Sequence, residues 1–208
     1  MTQEADTKFK REAHRGSHDF ELACQILDAG KICHVGFSQN EQPYVLPMSY
    51  GRMDDQLLIH GSIASRLMKN LSDGLRCCAT VTHFDGLVYA RSTFNSSMNY
   101  RSVMVFGTAR LITDPDEKRT GIQALVDHLM PGRRADLRSS TVKELNATSL
   151  LALPIETFST KCRTGPPEDS KRDLDTPVWA GVVPLELTAG EPVDAPDLLA
   201  GIQRPDYL

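Results

Sequence analysis

The rest of the chain is organised around one stretch, His60-Gly61-Ser62-Ile63-Ala64-Ser65-Arg66-Leu67-Met68-Lys69-Asn70-Leu71. It follows the apolar run 56–59, which predicts a strand, and then changes to helical periodicity. One predicted helix face carries Ser62, Ser65, Arg66 and Lys69. A strand, a glycine turn and a cationic helix start together predict a phosphate-binding site, because helix N-termini also favour anions. The alternative is an ordinary amphipathic helix with a solvated basic face.

Bulk composition limits the classes of function. The chain has 208 residues, a net charge of −4 and 40% hydrophobic residues, which indicates one domain with a real core. Its acidic balance, with a pI of about 5.9, argues against non-specific nucleic-acid binding. No apolar run approaches the roughly 18 residues of a membrane helix. Residues 1–15 are polar and charged, so we expect a cytoplasmic protein without membrane contact.

Cysteine usage predicts no metal site and no disulfide framework. Five cysteines are present, an odd number, and none forms a Cys-x-x-Cys motif. Cys77 and Cys78 are adjacent within an apolar run, so in a strand their side chains would point to opposite faces. We therefore expect buried, reduced thiols.

The pattern along the chain predicts a mainly β protein with helices. A helix from Ser17 or Asp19 to about Asp28 is ended by Gly30. Strands are predicted over 32–38, 43–50, 56–60, 76–82, 87–92, 101–113 and 148–160, and further helices over 116–129 and 141–146. Short antiparallel strands interrupted by single helices favour a β-barrel of the α+β class. No Gly-x-Gly-x-x-Gly follows a strand, which argues against a doubly wound sheet.

Five motifs, in this order, carry a family resemblance: Pro47–Gly51, His60–Ser62 with Ser65-Arg66, Asn99–Val103 with Phe106-Gly107, Thr160–Pro167, and Val178–Leu185. From about Asp19 to Leu187 the chain resembles the split-barrel flavoproteins of the pyridoxamine 5′-phosphate oxidase-like superfamily. The most similar branch is the flavin-nucleotide-binding, nitroimidazole-reductase-like group. The resemblance implies a six-stranded antiparallel split β-barrel and a homodimer with two FMN sites at the subunit interface. Residues 1–16 are then a flexible arm, 17–187 the FMN-binding domain and 188–208 a tail.

The resemblance also implies a set of cofactor-binding residues. The flavin ring is expected along Pro47, Met48, Ser49 and Tyr50, and the phosphate at His60, Gly61, Ser62, Ser65, Arg66 and Lys69. The same cleft is expected to be lined from the other subunit by Asn99, Tyr100, Arg101 and Ser102, with Trp179 stacking nearby. In chemical terms, Arg66 offers a guanidinium fork and Lys69 a point charge for the phosphate dianion.

Several of these residues have a purely structural alternative. Arg101 either binds the cofactor or forms a surface salt bridge. Tyr50, Tyr100 and Trp179 either stack on the ring or pack in the core. His60 is the candidate to contact flavin or substrate, and otherwise is a structural histidine at a strand end. Lys161 and Arg163 share one side of the last strand, facing either an anionic substrate or water.

The expected function is that of an FMN-dependent oxidoreductase acting on a small organic acceptor. One alternative is a non-catalytic flavin-binding or stress-response module. Another is a haem-binding split barrel with His60 or His34 as the axial ligand. The chain ends Arg204-Pro205-Asp206-Tyr207-Leu208 and shows neither an Arg-Leu-x-Pro terminus nor an Arg-x-His pair, which argues against vitamin B6 oxidation.

Overall fold

A computed structural model describes residues 5–208. Four α-helices are present: α1 (Phe20–Ala29), α2 (Arg66–Ser72), α3 (Pro115–Leu129) and α4 (Val142–Ala147). The strands are β1 (Gly16–Ser17), β2 (Ile32–Gln39), β3 (Gln42–Met53), β4 (Gln56–Ser62), β5 (Arg76–Tyr89), β6 (Ser97–Thr108), β7 (Arg110–Leu111), β8 (Thr148–Pro154), β9 (Thr157–Arg163) and β10 (Gly181–Pro184). None of the helices within this range has the length and apolar character needed to cross a bilayer.

The strands form one antiparallel sheet in the order β1-β9-β6-β5-β2-β3-β4-β8-β7, with β10 added on β5. The mainly β, α+β class predicted from sequence is confirmed. The described sheet has ten strands instead of six. Three of them are short segments, β1, β7 and β10, that pair beside longer strands. The predicted strand over 148–160 is in fact two strands, because the chain leaves β4 after Pro154 and joins β6 as β9.

Two hydrophobic clusters fill the interior. The larger lies between the sheet and α1, whose Ala23, Ile26 and Leu27 are fully buried. Helix α1 begins where the sequence predicts, since the Asp19 side chain accepts a hydrogen bond from the Leu22 amide. The smaller cluster lies under α3 and includes Leu125. Helix α3 thus covers the β3–β4–β8 side of the sheet.

Two local predictions were wrong. The strands predicted over 76–82 and 87–92 form one strand, because β5 continues through a bulge between Phe84 and Gly86 and pairs with β6 on one side and β10 on the other. Helix α2 begins at Arg66, whereas the sequence predicted a start near Ser62. Ser62 ends β4 instead, and its Oγ accepts a hydrogen bond from the Ala64 amide in the intervening turn. Ser62 therefore does not share the α2 face.

Residues near both ends of the described range contact the folded body. The arm predicted over 1–16 includes residues 1–4, which lie outside the described range. Gly16–Ser17 pairs with β9, and Phe9 packs against His18 with ring centroids 5.0 Å apart. In the 188–208 tail, the Tyr207 hydroxyl donates to Asp136 at 2.6 Å and accepts from Arg133 at 2.9 Å.

The five cysteines are free thiols. Burial raises the pKa of Cys33 to about 12 and that of Cys77 to about 11, so both side chains stay protonated at neutral pH. Within residues 5–208, no group of three or more His, Cys, Asp or Glu side chains is placed to hold a metal ion.

Candidate functional site

The end of β4 and helix α2 approach each other closely. A Cβ added to Gly61 would lie 2.9 Å from Cγ of Met68 and 4.0 Å from Cε of Met48. This contact leaves no room for a side chain at position 61, so the glycine sets the depth at which α2 packs. Leu67, Met68 and Leu71 are buried on the inner side of the helix. Because the sequence resemblance places the flavin phosphate at the junction of β3, β4 and α2, we call this junction the flavin corner.

The outer side of α2 carries two cations. Arg66 and Lys69 are both exposed, and neither forms an ion pair with any other residue in the 5–208 range. The Arg66 guanidinium lies 5.5 Å above the Tyr44 ring, which in turn stacks on Phe37 with centroids 5.3 Å apart. Ser65 is the N-cap of α2 but its hydroxyl makes no capping bond. The corner therefore offers two positive charges and a free hydroxyl to an anion.

His60 lies on the opposite face of β4 from Gly61, because side chains alternate along a strand. Its ring is half-buried, its Nδ1 is buried without a hydrogen-bond partner among the described residues, and burial lowers its pKa. Tyr50 pairs with Ile59, and extending that register by one residue places Ser49 beside His60. The result is a neutral imidazole next to the strand on which the flavin ring was expected.

The face that holds Ser49 and His60 extends across β2. Ser49 is opposite Ile32 and Pro47 is opposite His34, so these four side chains share one face of the sheet. Ile32, His34 and Pro47 are exposed, whereas the alternate residues of β2 are buried. Both histidines considered as haem ligands from sequence therefore lie on this outer face, on either side of β3.

Tyr50 and Trp179 occupy contrasting environments. Tyr50 is fully buried, its hydroxyl donates to the Leu27 carbonyl oxygen, and its ring lies 4.8 Å from that of His128. It belongs to the core. Trp179 is 66% exposed and its ring is 5.6 Å from Tyr89, at the β5–β10 side of the sheet. Trp179 thus does not adjoin the flavin corner of its own chain.

The segment Asn99–Ser102 is also separated from the flavin corner. It lies on β6, and β5 and β2 lie between β6 and β3. Arg101 forms a bidentate ion pair with Asp85, at 2.9 Å from Nε and 2.8 Å from Nη2. These hydrogen bonds hold the pKa of Asp85 below its usual range. This geometry matches the salt-bridge alternative for Arg101.

Asn99 belongs to a buried polar cluster. Its Oδ1 accepts from Arg163 Nη1 at 2.5 Å and its Nδ2 donates to the Gly165 carbonyl oxygen at 3.1 Å. Arg163 also donates to the carbonyl oxygen of Pro166. Lys161 donates to the Arg11 carbonyl oxygen at 3.1 Å. Arg163 therefore fixes the 164–166 loop instead of facing solvent.

Two contacts of the predicted site residues did not follow from the sequence. Tyr44 lies beneath the Arg66 guanidinium, and Asp85 neutralises Arg101. The strands predicted over 32–38 and 43–50 carried a signal for Tyr44, since pairing them as a hairpin places Tyr44 opposite Phe37 as an aromatic pair. Asp85 had no comparable signal, because Phe84-Asp85-Gly86 reads as a turn.

This fold and these residues define a class of protein. The sequence profile of the pyridoxamine 5′-phosphate oxidase family matches residues 19–162, and the chain belongs to this family of split-barrel proteins. No curated protein matches the sequence of this chain.

The chain is also similar to solved structures. The chain is similar to an FAD and haem binding protein from Mycobacterium smegmatis, with 42% identity, 93% of this chain and 95% of the other covered, and a TM-score of 0.89. It is also similar to the flavocytochrome Anf3 from Azotobacter vinelandii, with 40% identity, 98% and 95% coverage, and a TM-score of 0.91. A putative 5-nitroimidazole antibiotic resistance protein from Bacteroides thetaiotaomicron shares the fold, with 23% identity, 70% and 85% coverage, and a TM-score of 0.60.

Proposed function

We propose that this chain is a flavin-dependent oxidoreductase that also holds a haem, and that it works as a homodimer. The observation that carries the proposal is the flavin corner, where Arg66 and Lys69 lie together beside an exposed strand, with no carboxylate partner among residues 5–208. The likeness to an FAD and haem binding protein and to a flavocytochrome supports the same pair of cofactors.

The flavin corner fits the phosphate group of a flavin nucleotide. Arg66 offers two parallel N–H donors, Lys69 a second charge and Ser65 a hydroxyl, which together match a phosphate dianion. FMN and FAD both carry this group on the riboflavin side chain, so these contacts do not separate them. The sequence resemblance implies FMN, whereas the FAD and haem binding protein, which is similar along nearly the whole chain, favours FAD. We therefore assign FAD.

His60 is the residue that best fits a haem. Iron binds the neutral form of imidazole, and burial lowers the pKa of His60 and so keeps it neutral at physiological pH. Its ring makes no hydrogen bond with any other residue in the 5–208 range. His34 is exposed on the same sheet face and would need a second surface to shield it. The structure therefore favours His60 over His34.

The second subunit would complete the site. The outer sheet face exposes large apolar side chains, including Ile32 and Val45 at 57% and 67%. Apolar surface of this kind on an open sheet favours pairing with another copy. The Asn99–Ser102 segment and Trp179 lie away from the flavin corner of their own chain, so we assign them to the partner's site.

These positions assign a role to each cofactor and to each residue around it. A bound flavin supplies the electron transfer, and a haem supplies one-electron transfer. Arg66 and Lys69 anchor the phosphate, the β3 strip Pro47–Ser49 supports the ring, and neutral His60 offers a nitrogen lone pair beside it. The acceptor is a small organic molecule. No acid or base residue is required by this scheme.

The test is the visible absorption spectrum and mass spectrum of the purified protein, followed by turnover with NAD(P)H and a panel of small acceptors. We expect one flavin and one haem per chain and measurable acceptor reduction. Both cofactors without turnover would support a non-catalytic flavin-binding module. A protein that binds neither, even after reconstitution, would contradict the proposal.

A further inference from the structure

A cleft lies along one side of α3. Gly121 and Leu125 bury one face of this helix. A different face carries Arg119, Ile122, Gln123, Val126 and Asp127, at the helical spacing i, i+3, i+4, i+7 and i+8. Residues 132–140 fold back over that face and enclose about 590 Å³. This volume is in the range of small-molecule sites, roughly 300–1,000 Å³.

Residues 132–140, which we call the covering segment, are held in place by contacts at several points. Gly132 has a positive φ of 87° and reverses the chain after α3. Arg134 Nε then lies 3.0 Å from Asp127 Oδ1, which binds the segment to the helix. Arg138 pairs with Glu144 of α4 through two hydrogen bonds of 2.9 and 2.5 Å. Two ion pairs therefore hold the walls of the cleft in position.

The charge of the cleft is positive. Three guanidinium groups and one carboxylate line it, those of Arg119, Arg134, Arg138 and Asp127. Arg134 and Arg138 have carboxylate partners. Arg119 is half-buried, donates to the Ser140 carbonyl oxygen at 3.2 Å, and has no carboxylate partner in residues 5–208. A half-buried cation with only a carbonyl partner favours an incoming anion.

The rest of the lining is apolar. Ile122, Val126 and Leu137 contribute aliphatic side chains, while the hydroxyls of Ser139 and Ser140 lie in the same wall segment as Arg138. A ligand that matches this lining has one anionic end and an apolar body. An apolar surface with one or two fixed polar groups is the usual composition of a small-molecule pocket.

We propose that this cleft is a second binding site, for a small carboxylate with an aromatic or aliphatic body. The carboxylate pairs with Arg119 and the body packs on Ile122 and Val126. The residues that line the site lie on α3 and in residues 132–140, and none of them belongs to the flavin corner. The site does not depend on the proposed redox function, and it would let a metabolite of this class bind without displacing the flavin.

The test uses the purified protein with whatever cofactors it carries, titrated calorimetrically with 2-naphthoate and with the uncharged 2-naphthalenemethanol. We expect 2-naphthoate to bind and Arg119→Gln to weaken it about 10–100-fold, the effect of losing one charge-assisted hydrogen bond. The affinity for the uncharged 2-naphthalenemethanol should fall much less in this variant. The matched control is Arg110→Gln, which removes an exposed guanidinium paired with Glu117 outside the cleft and should change neither affinity.

A second variant keeps the proposal testable if Arg119→Gln folds poorly. Val126→Phe fills the cleft and should abolish binding of both probes, while the absorption of the bound cofactors is unchanged. The proposal is overturned if 2-naphthoate fails to bind, or if Arg119→Gln or Val126→Phe binds it as tightly as the parent.

Discussion

Met68 of α2 packs directly over Gly61 of β4, so closely that a Cβ at position 61 would lie 2.9 Å from Cγ of Met68. Met68 is itself buried. The contact fixes the position of α2 relative to β4, and with it the positions of Arg66 and Lys69 on the outer side of the helix. If α2 binds the flavin phosphate as proposed, stability and cofactor affinity are linked through this one glycine.

Gly61→Ala should push α2 outward. Because the neighbouring side chain is buried and must move, we expect a loss of about 1–3 kcal/mol in the free energy of unfolding, together with weaker flavin binding. Gly36→Ala is the matched control, since its nearest neighbour would be 3.8 Å away and ordinary contact results. Urea denaturation and flavin titration measure the two effects. If both variants lost the same free energy of unfolding and the same flavin affinity, the Met68 contact would not be what positions α2.

Dimer formation through the outer sheet face can be tested with two equally exposed valines. Val45 on β3 is 67% exposed and Val142 on α4 is 69% exposed. We expect Val45→Asp to lower the dimer fraction in light scattering, because it buries a charge in the proposed interface. Val142→Asp should leave the mass unchanged. A parent protein that is monomeric with its full complement of flavin would refute the shared site.

Acid should destabilise the fold through two histidines. Burial lowers the pKa of His60 and of His128 below 6.5, so the unfolded chain binds more protons than the folded one near that pH. Their contribution to the free energy of unfolding is thus fully present above about pH 6.5 and is lost as the pH falls through the folded pKa values. Urea denaturation of the apoprotein between about pH 8 and about pH 5 should show this decline.

His60→Gln removes one of the two titrating groups and is the control for that measurement. Its stability should depend less steeply on pH over the same interval. The carboxylates whose pKa is lowered, such as Asp85 beside Arg101, titrate at lower pH and do not contribute in this window. An unchanged slope in the variant would mean that His60 is not buried in its neutral form.

Much of the fold followed from local sequence signals. Asp19 and Gly30 delimit α1 as predicted, because capping is encoded within a few residues. The bulge at Asp85 was not predictable in this way. Phe84-Asp85-Gly86 has turn composition, and only pairing with both β6 and β10 keeps it in the strand. Long-range hydrogen bonding overrode local preference there.

The exposed positions of the two α2 cations could be predicted from the sequence. Arg66 and Lys69 share the exposed side of α2 as the helical pattern indicated, because periodicity alone places them. The burial of Tyr50 was not evident, since a tyrosine in a half-exposed strand reads equally well as a core or a surface residue. Its position depends on the Leu27 carbonyl oxygen, 23 residues away in sequence.

The central claim is that α2 holds the flavin phosphate, and titration of the apoprotein with FMN, FAD and riboflavin tests it most directly. Arg66→Ala should raise the Kd for both nucleotides about 10–100-fold, because a charge-assisted hydrogen bond contributes about 1.5–3 kcal/mol. Riboflavin lacks the phosphate, so its affinity should change far less, and the free energy of unfolding should stay within about 0.5 kcal/mol. Equal weakening of all three flavins, or no weakening of any, would contradict the assignment.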